Sequence, residues 1–260
     1  MPEPIAPKRR KDQLTVLFES AEAVAVAKPP GVVTVPGRGE SQSMLQLIAG
    51  QAGLPCAGSA DPRIRPVHRL DKDTSGVLLF VKDRATQRHV SQQFQNNVAG
   101  KQYLALVSGR PDQDEGEIVA PLAPDPSRPN AMLVSKRGKR AVTRWRIEES
   151  FRKYTLLRVF PETGKTHQIR VHMKSAGFPL VVDPLYHPPA RGEEQGLYLS
   201  SFKPDYRDKH NRLERPLLAR LSLHAERLSV DLPGSGQITI IAPLPKDFGA
   251  ALNQLRRHGV

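Results

Sequence analysis

Only one cysteine, Cys56, occurs in 260 residues, which excludes an internal disulfide framework and a thiolate zinc cluster. Long apolar runs are missing as well. No stretch of about 18 apolar residues occurs, so the sequence supplies no membrane-spanning helix. The opening MPEPIAPKRRKDQ lacks the apolar core of a secretory signal. These absences lead to the expectation of a soluble, cytoplasmic chain with reduced thiols. Acidic residues are in deficit, 26 Asp plus Glu against 39 Lys plus Arg, for a formal net charge of +13. An excess of that size favours a polyanionic partner, although a merely solvated basic surface would carry the same count. No internal repeat is present, which sets solenoids and propellers aside.

What remains is enough for one large domain with a full core, since 38% of the residues are hydrophobic. Residues 1–13 are Pro-rich and basic and are expected to form a disordered tail. Order is expected over 14–260. Short strands are predicted over 14–18 and 23–27, then a Pro-Pro-Gly turn and a Gly-rich loop over 35–40. A helix capped by Ser43 is predicted to reach residue 51. The apolar run 76–81 reads as a strand, and 84–97 as an amphipathic helix with Val90 and Phe94 four apart. Further strands are predicted over 101–107, around Glu117, and over 131–134, 141–148 and 154–160. Turn-rich links between them imply an α+β domain with a mixed, mostly antiparallel sheet. Thr166 is expected to cap a helix to about residue 176, with Ile169, Met173 and Ala176 facing inward. The stretch 187–220 is rich in Pro, Gly and charge and reads as an insertion. Strands over 221–225, 228–230 and 237–241 and a helix over 246–257 complete the chain.

The most informative stretch is 65–82, RPVHRLDKDTSGVLLFVK. It seats one carboxylate, Asp71, among basic and small polar residues at the edge of an apolar run, as a catalytic acid in an electropositive cleft would sit. Taken alone, Asp-x-x-Thr-Ser-Gly also suits a turn or capping aspartate. Three other stretches occur with it: Lys-Pro-Pro-Gly at 28–31, Lys-Gln-Tyr-Leu-Ala-Leu-Val at 101–107, and Thr-Gly-Lys-Thr-His-Gln-Ile-Arg-Val-His at 163–172.

Together, and in this order, these stretches resemble the RluA-type pseudouridine synthases, whose signature is HRLDxxTSG. The resemblance spans roughly 14–186 and resumes faintly at 221–228. It implies a pseudouridine synthase catalytic fold, isomerisation of uridines in structured rRNA or tRNA, and no cofactor. It also implies that Asp71 is the nucleophile, Arg170 its electrostatic partner, and Tyr103 the residue that stacks on the target base and is a candidate to take its C5 proton. A nearby guanidinium favours the ionised form that an attacking carboxylate needs. Read without the resemblance, Arg170 is a helix-surface arginine, Tyr103 sheet packing, and Ile169 as much core as pocket wall.

Arg69 suits a phosphate or a flipped nucleotide because its planar fork matches both. His68, Thr74, Lys165 and His167 are expected beside it on the RNA. A basic hairpin containing Lys136, Arg137 and Arg140, with Lys139, Arg144 and Arg146 near it, suits phosphates or a solvated face. Residues 207–215 are a weaker candidate of the same kind. Two departures stand out: Lys165 replaces a usual arginine, and Val182 replaces a usual glycine before Asp-Pro-Leu-Tyr at 183–186. The small RNA-binding domain common in relatives is expected to be absent, and the protein to be a monomer.

Two other classes compete. A metal-dependent phosphoesterase would use His68, Asp71, Asp73, His167 and His172, but the last two are five apart and so off one helix face. A non-catalytic RNA-binding factor would keep the fold and dispense with Asp71.

Overall fold

The computed structural model describes residues 14–37, 42–55, 63–190, 195–203, 206 and 214–259. The tail, Cys56 and residues 207–213 of the weaker basic stretch lie outside them.

Apolar runs of strand length dominate the sequence and assemble into one ten-stranded mixed sheet. Its strands are β1 (Val16–Glu19), β2 (Ala23–Lys28), β3 (Arg65–Pro66), β4 (Ser75–Val81), β5 (Gly100–Ser108), β6 (Glu115–Val119), β9 (Val142–Ser150), β10 (Tyr154–Pro161), β11 (Leu223–Leu232) and β12 (Gly236–Ile241). The separate two-stranded ribbon is β7 (Leu122–Pro124) with β8 (Met132–Val134). The main order is β1-β2-β4-β11-β5-β10-β9-β6, with β3 on β4 and β12 on β11. Every pairing is antiparallel except that of β4 with β11, where Ser75 faces His224 and Gly76 faces Ala225. All seven residues of β4 are buried, as expected for a central strand covered on both faces.

The parallel junction explains the glycine of Thr-Ser-Gly. Gly76 has φ +128°, and a Cβ there would lie 2.1 Å from the Ala225 carbonyl oxygen. No side chain fits where the two backbones approach this closely.

Among the described residues four α-helices complete the architecture: α1 (Met44–Ala52), α2 (Arg84–Gln95), α3 (Gln168–Ser175) and α4 (Lys246–His258). Ser43 caps α1, as the sequence predicts, and the structure adds a reciprocal capping box with Gln46. Asp83 caps α2, which ends two residues early because Asn97 is left-handed, φ 58°. The stretch 187–220 contributes Leu197, Phe202 and Leu218 to a core cluster with Phe248, Leu252 and Leu255 of α4.

Three local expectations need correction. Helix α3 is not capped by Thr166: it starts at Gln168, preceded by His167 in the left-handed region at φ 53° with no side-chain cap. The Gln168 side chain holds the turn instead, accepting from the Thr163 hydroxyl and the Lys165 amide and donating to the Val142 carbonyl and Thr143. Nor does α3 have an apolar stripe, because residues 168–173 are all buried and Ala176 is exposed. Finally, the strands predicted over 221–225 and 228–230 are one strand, β11, whose register slips between Ala225 and Arg227. Glu226 and Arg227, the charged pair between the two predicted strands, lie at that irregularity.

Candidate active site

Asp71 lies in the connection between β3 and β4, and the chain fixes that connection from beneath. The fully buried Lys28 spends its three ammonium donors on the carbonyls of Pro29 (2.9 Å), Lys72 (2.7 Å) and Thr74 (2.8 Å). The Gly31 amide also donates to the Lys72 carbonyl, and the Thr74 amide closes the turn on the Asp71 carbonyl at 3.1 Å. Burial pulls the Lys28 pKa down to about 7 against the opposing pull of Asp73 and Asp71. The Lys-Pro-Pro-Gly stretch thus acts as a clamp on the loop that presents Asp71.

Arg170 approaches from α3. Its Nη1 is 3.3 Å from Asp71 Oδ2, while its Nε and Nη2 make a bidentate pair with Asp183, each at 2.8 Å. Burial opposes the guanidinium charge, but the Asp183 bonds and Asp71 raise the Arg170 pKa above its ordinary value. Asp183 is itself held by the Leu185 and Tyr186 amides, each at 3.1 Å. The Tyr186 ring covers the guanidinium 4.9 Å from its centroid. The arginine therefore cannot turn away, and its remaining donor edge faces Asp71.

His167 completes the ring of partners. The Tyr186 hydroxyl accepts from the Met132 amide at 2.8 Å and lies 2.8 Å from His167 Nδ1. Its own proton is then free for Nδ1, leaving the imidazole proton on Nε2, 3.9 Å from Asp71 Oδ2. Burial lowers the His167 pKa, which favours this neutral form.

These groups open into a cavity of about 490 Å³, within the range of ligand sites. Tyr103 lines it from β5. Burial first, then the Asp71 charge, push the Tyr103 phenol well above its ordinary pKa, so the ring is held neutral. Arg69, Thr74, Lys165, His167 and Ile169 also line the cavity. Thr74 is buried and its hydroxyl has no partner among the described residues, so it is free to accept or donate to a bound molecule. Ile169 does both jobs left open by the sequence: it packs in the core with Leu157, Val159 and Met173 and forms cavity wall.

His68 is placed differently from expectation. It borders the cavity, but its Nε2 accepts from the Leu79 amide at 3.0 Å and its ring stacks on Phe94 at 4.8 Å. Burial and then Lys101 lower its pKa to about 3, so it meets a ligand as a neutral ring. Lys136, Arg137 and Arg140 do not line the cavity; they are exposed beyond β8, on the ribbon tied to the site through Met132 and Tyr186. Arg144, by contrast, is engaged by Glu117 and Glu162.

The metal-phosphoesterase alternative finds no support: among the described residues no three His, Cys, Asp or Glu side chains gather as a ligand set. His172 is buried and bonded to Thr143 and the Ala120 carbonyl. Also among the described residues, no helix is long and apolar enough to cross a membrane.

A family model described as RNA pseudouridylate synthase matches residues 22–175, more than half the chain. The chain belongs to the RNA pseudouridylate synthase family. Among relatives, it is 38% identical over 245 residues to ribosomal large subunit pseudouridine synthase D of Nitrosomonas europaea, covering 94% of this chain and 65% of that protein. It is 37% identical over 179 residues to the dual-specificity RNA pseudouridine synthase RluA of Vibrio cholerae, covering 68% of this chain and 69% of that one. The chain thus spans about two thirds of the length of these curated relatives. Among solved structures, human RNA pseudouridylate synthase domain containing 4 superposes with a TM-score of 0.71 at 25% identity, covering 93% of each chain. The family resemblance and the α+β fold expected from the sequence are both borne out.

Within this pseudouridylate synthase fold, the sequence reading missed Asp183 and Tyr186 as site residues. Both lie in Asp-Pro-Leu-Tyr, which drew notice only for the Val182 before it. The available signal was an acidic residue beside apolar Val181 and Val182, because a carboxylate buried there requires a cationic partner. Lys28 was read as a motif residue without a role, and Lys101 and Phe94 as strand and helix residues only.

Proposed function

We propose that this protein isomerises uridine to pseudouridine in structured RNA, rRNA or tRNA, with Asp71 as nucleophile. The observation that carries the reading is one carboxylate facing an open cavity, 3.3 Å from a guanidinium that a second, buried carboxylate holds in place. The reaction breaks the bond from ribose C1′ to base N1, turns the base, and forms a bond from C1′ to C5. N1 gains a proton and C5 loses one, so atoms and electrons balance without a cofactor. Asp71 splits this exchange into easier steps, by attack on sugar or base or by assisting elimination at the sugar.

The base must leave its stack to reach Asp71, and Tyr103 supplies a flat neutral face for it. Stacking needs only that ring. Taking the C5 proton would require Tyr103 to pass on its own hydroxyl proton in the same step, because its surroundings oppose a phenolate. Thr74 offers an unpaired hydroxyl to the nucleotide, and Arg69 and Lys165 offer charge to its phosphates. Lys136, Arg137 and Arg140 lie outside the cavity and suit the RNA backbone further from the target. The proposed enzyme acts as a monomer in the cytoplasm.

The test uses the hydrogen that leaves C5. RNA transcribed with uridine tritiated at C5 should release tritium to water with the wild-type protein and not with Asp71→Asn. Equal release by both proteins would overturn Asp71 as the reactive group. No release from bulk rRNA and tRNA with either would overturn the activity.

A further inference from the structure

The cavity is lined by more residues than the group around Asp71. Along β5, alternate side chains share a face, so Lys101 points to the same side as Tyr103, roughly 7 Å further along the strand. Besides Asp71 and Thr74, the cavity is lined by Phe94, Gln95 and Asn97 at the C-terminal end of α2 and by Lys101 of β5. The reaction as proposed uses none of these four residues.

Their chemistry is mixed in a particular way. The Phe94 ring is held parallel to His68, 4.8 Å between centroids and 10° between planes, giving a rigid aromatic surface. Gln95 and Asn97 are exposed, and their side-chain amides make no hydrogen bond among the described residues. Each amide carries donors and an acceptor, the set that reads a base edge. The left-handed Asn97, φ 58°, ends α2 at this point and keeps its side chain beside the cavity. Lys101 donates to the Glu162 carbonyl at 3.0 Å. Burial and then Lys165 lower the Lys101 pKa to about 8, a pair of cations that an anion between them would relieve.

We infer that this end of the cavity is a second nucleotide subsite, which binds the RNA residue next to the target uridine and discriminates among bases there. Phe94 gives the neighbouring base a surface to pack on, Gln95 and Asn97 read its edge, and Lys101 with Lys165 neutralises a phosphate beside it. A stacked base with paired edge contacts is the usual way single-stranded RNA is read. This inference rests on the proposed pseudouridine synthesis and adds a source of sequence preference to it.

The test first maps the uridine that the wild-type protein modifies in rRNA and tRNA, then randomises three nucleotides on each side of it in a short RNA. Initial rates across the library are compared for wild type and for Gln95→Ala/Asn97→Gly, changes at exposed positions that keep the helix end and its positive φ. The wild type should discriminate about tenfold or more at one adjacent position, and the variant at least fivefold less there, with other positions unaltered. An active variant with the wild-type preference at every position would overturn the subsite while leaving the catalytic reading intact. A wild type that modifies no uridine would overturn both.

Discussion

Arg170 is shared by two carboxylates, and the structure divides the labour between them. Asp183 is 1% exposed and makes two 2.8 Å bonds to the guanidinium; Asp71 is 19% exposed and makes one at 3.3 Å. Asp183→Asn keeps the shape and leaves one oxygen for the Leu185 and Tyr186 amides, but it sets an amide donor against an arginine donor and removes a charge. Breaking a buried pair this way costs about 3–5 kcal/mol. The remaining contact to Asp71 compensates in part, so the loss should fall near 3 kcal/mol, or about 6–12 °C in Tm for a domain of this size. Asp71→Asn removes only the longer, partly solvated contact and should cost less than about 1 kcal/mol. Activity should divide the other way, abolished by Asp71→Asn and only reduced by Asp183→Asn at temperatures where that variant is folded. Urea denaturation and tritium release on the same preparations measure both. Equal destabilisation by the two variants, or an Asp183→Asn protein as stable as wild type, would refute this division.

Three further outcomes follow. Gly76→Ala should fail to give soluble folded protein, or lose more than about 3 kcal/mol, because its Cβ would meet the Ala225 carbonyl at 2.1 Å; circular dichroism and a urea titration check it. The His68 pKa lies below its unfolded value of 6.5, near 3, so the unfolded chain takes up this proton first as pH falls. The stabilisation from neutral His68 is full above pH 6.5 and declines below it, and His68→Phe, which cannot charge, should show a shallower fall in urea midpoint between pH 7 and 4. Replacing Lys136, Arg137 and Arg140 together by alanine should reduce the slope of log affinity against log salt by about 2–3 in filter binding, with the rate at saturating RNA unchanged.

The residues proposed for the reactive centre were singled out by their resemblance to family motifs, and the fold brings all three to one cavity. Asp71, Tyr103 and Arg170 come from three separate stretches, yet each stretch carries its own pattern, and tertiary folding has only to bring them to one cavity. Elements with strong local signals were legible too: the Ser43 cap of α1, and the all-buried strand β4. What escaped depends on long-range burial. The apolar residues beside Asp183 signal a buried carboxylate, but which cation it meets, Arg170, is fixed only by the fold, 13 residues away in sequence. The start of α3 is set by Gln168 side-chain bonds to Val142 and Thr143 rather than by a cap, and a helix whose first six residues are all buried shows no stripe for periodicity to find. His68 lines the cavity as a candidate RNA contact, but the sequence could not show that its Nε2 is taken by a backbone amide of β4.

The central claim is that the Asp71 carboxylate converts uridine to pseudouridine in RNA. The most direct measurement is a pseudouridine map of total rRNA and tRNA from a strain lacking this gene, complemented with wild type or with Asp71→Asn. One or more sites should disappear on deletion and return only with the wild-type protein. Sites restored equally by Asp71→Asn, or an unchanged map on deletion, would contradict it.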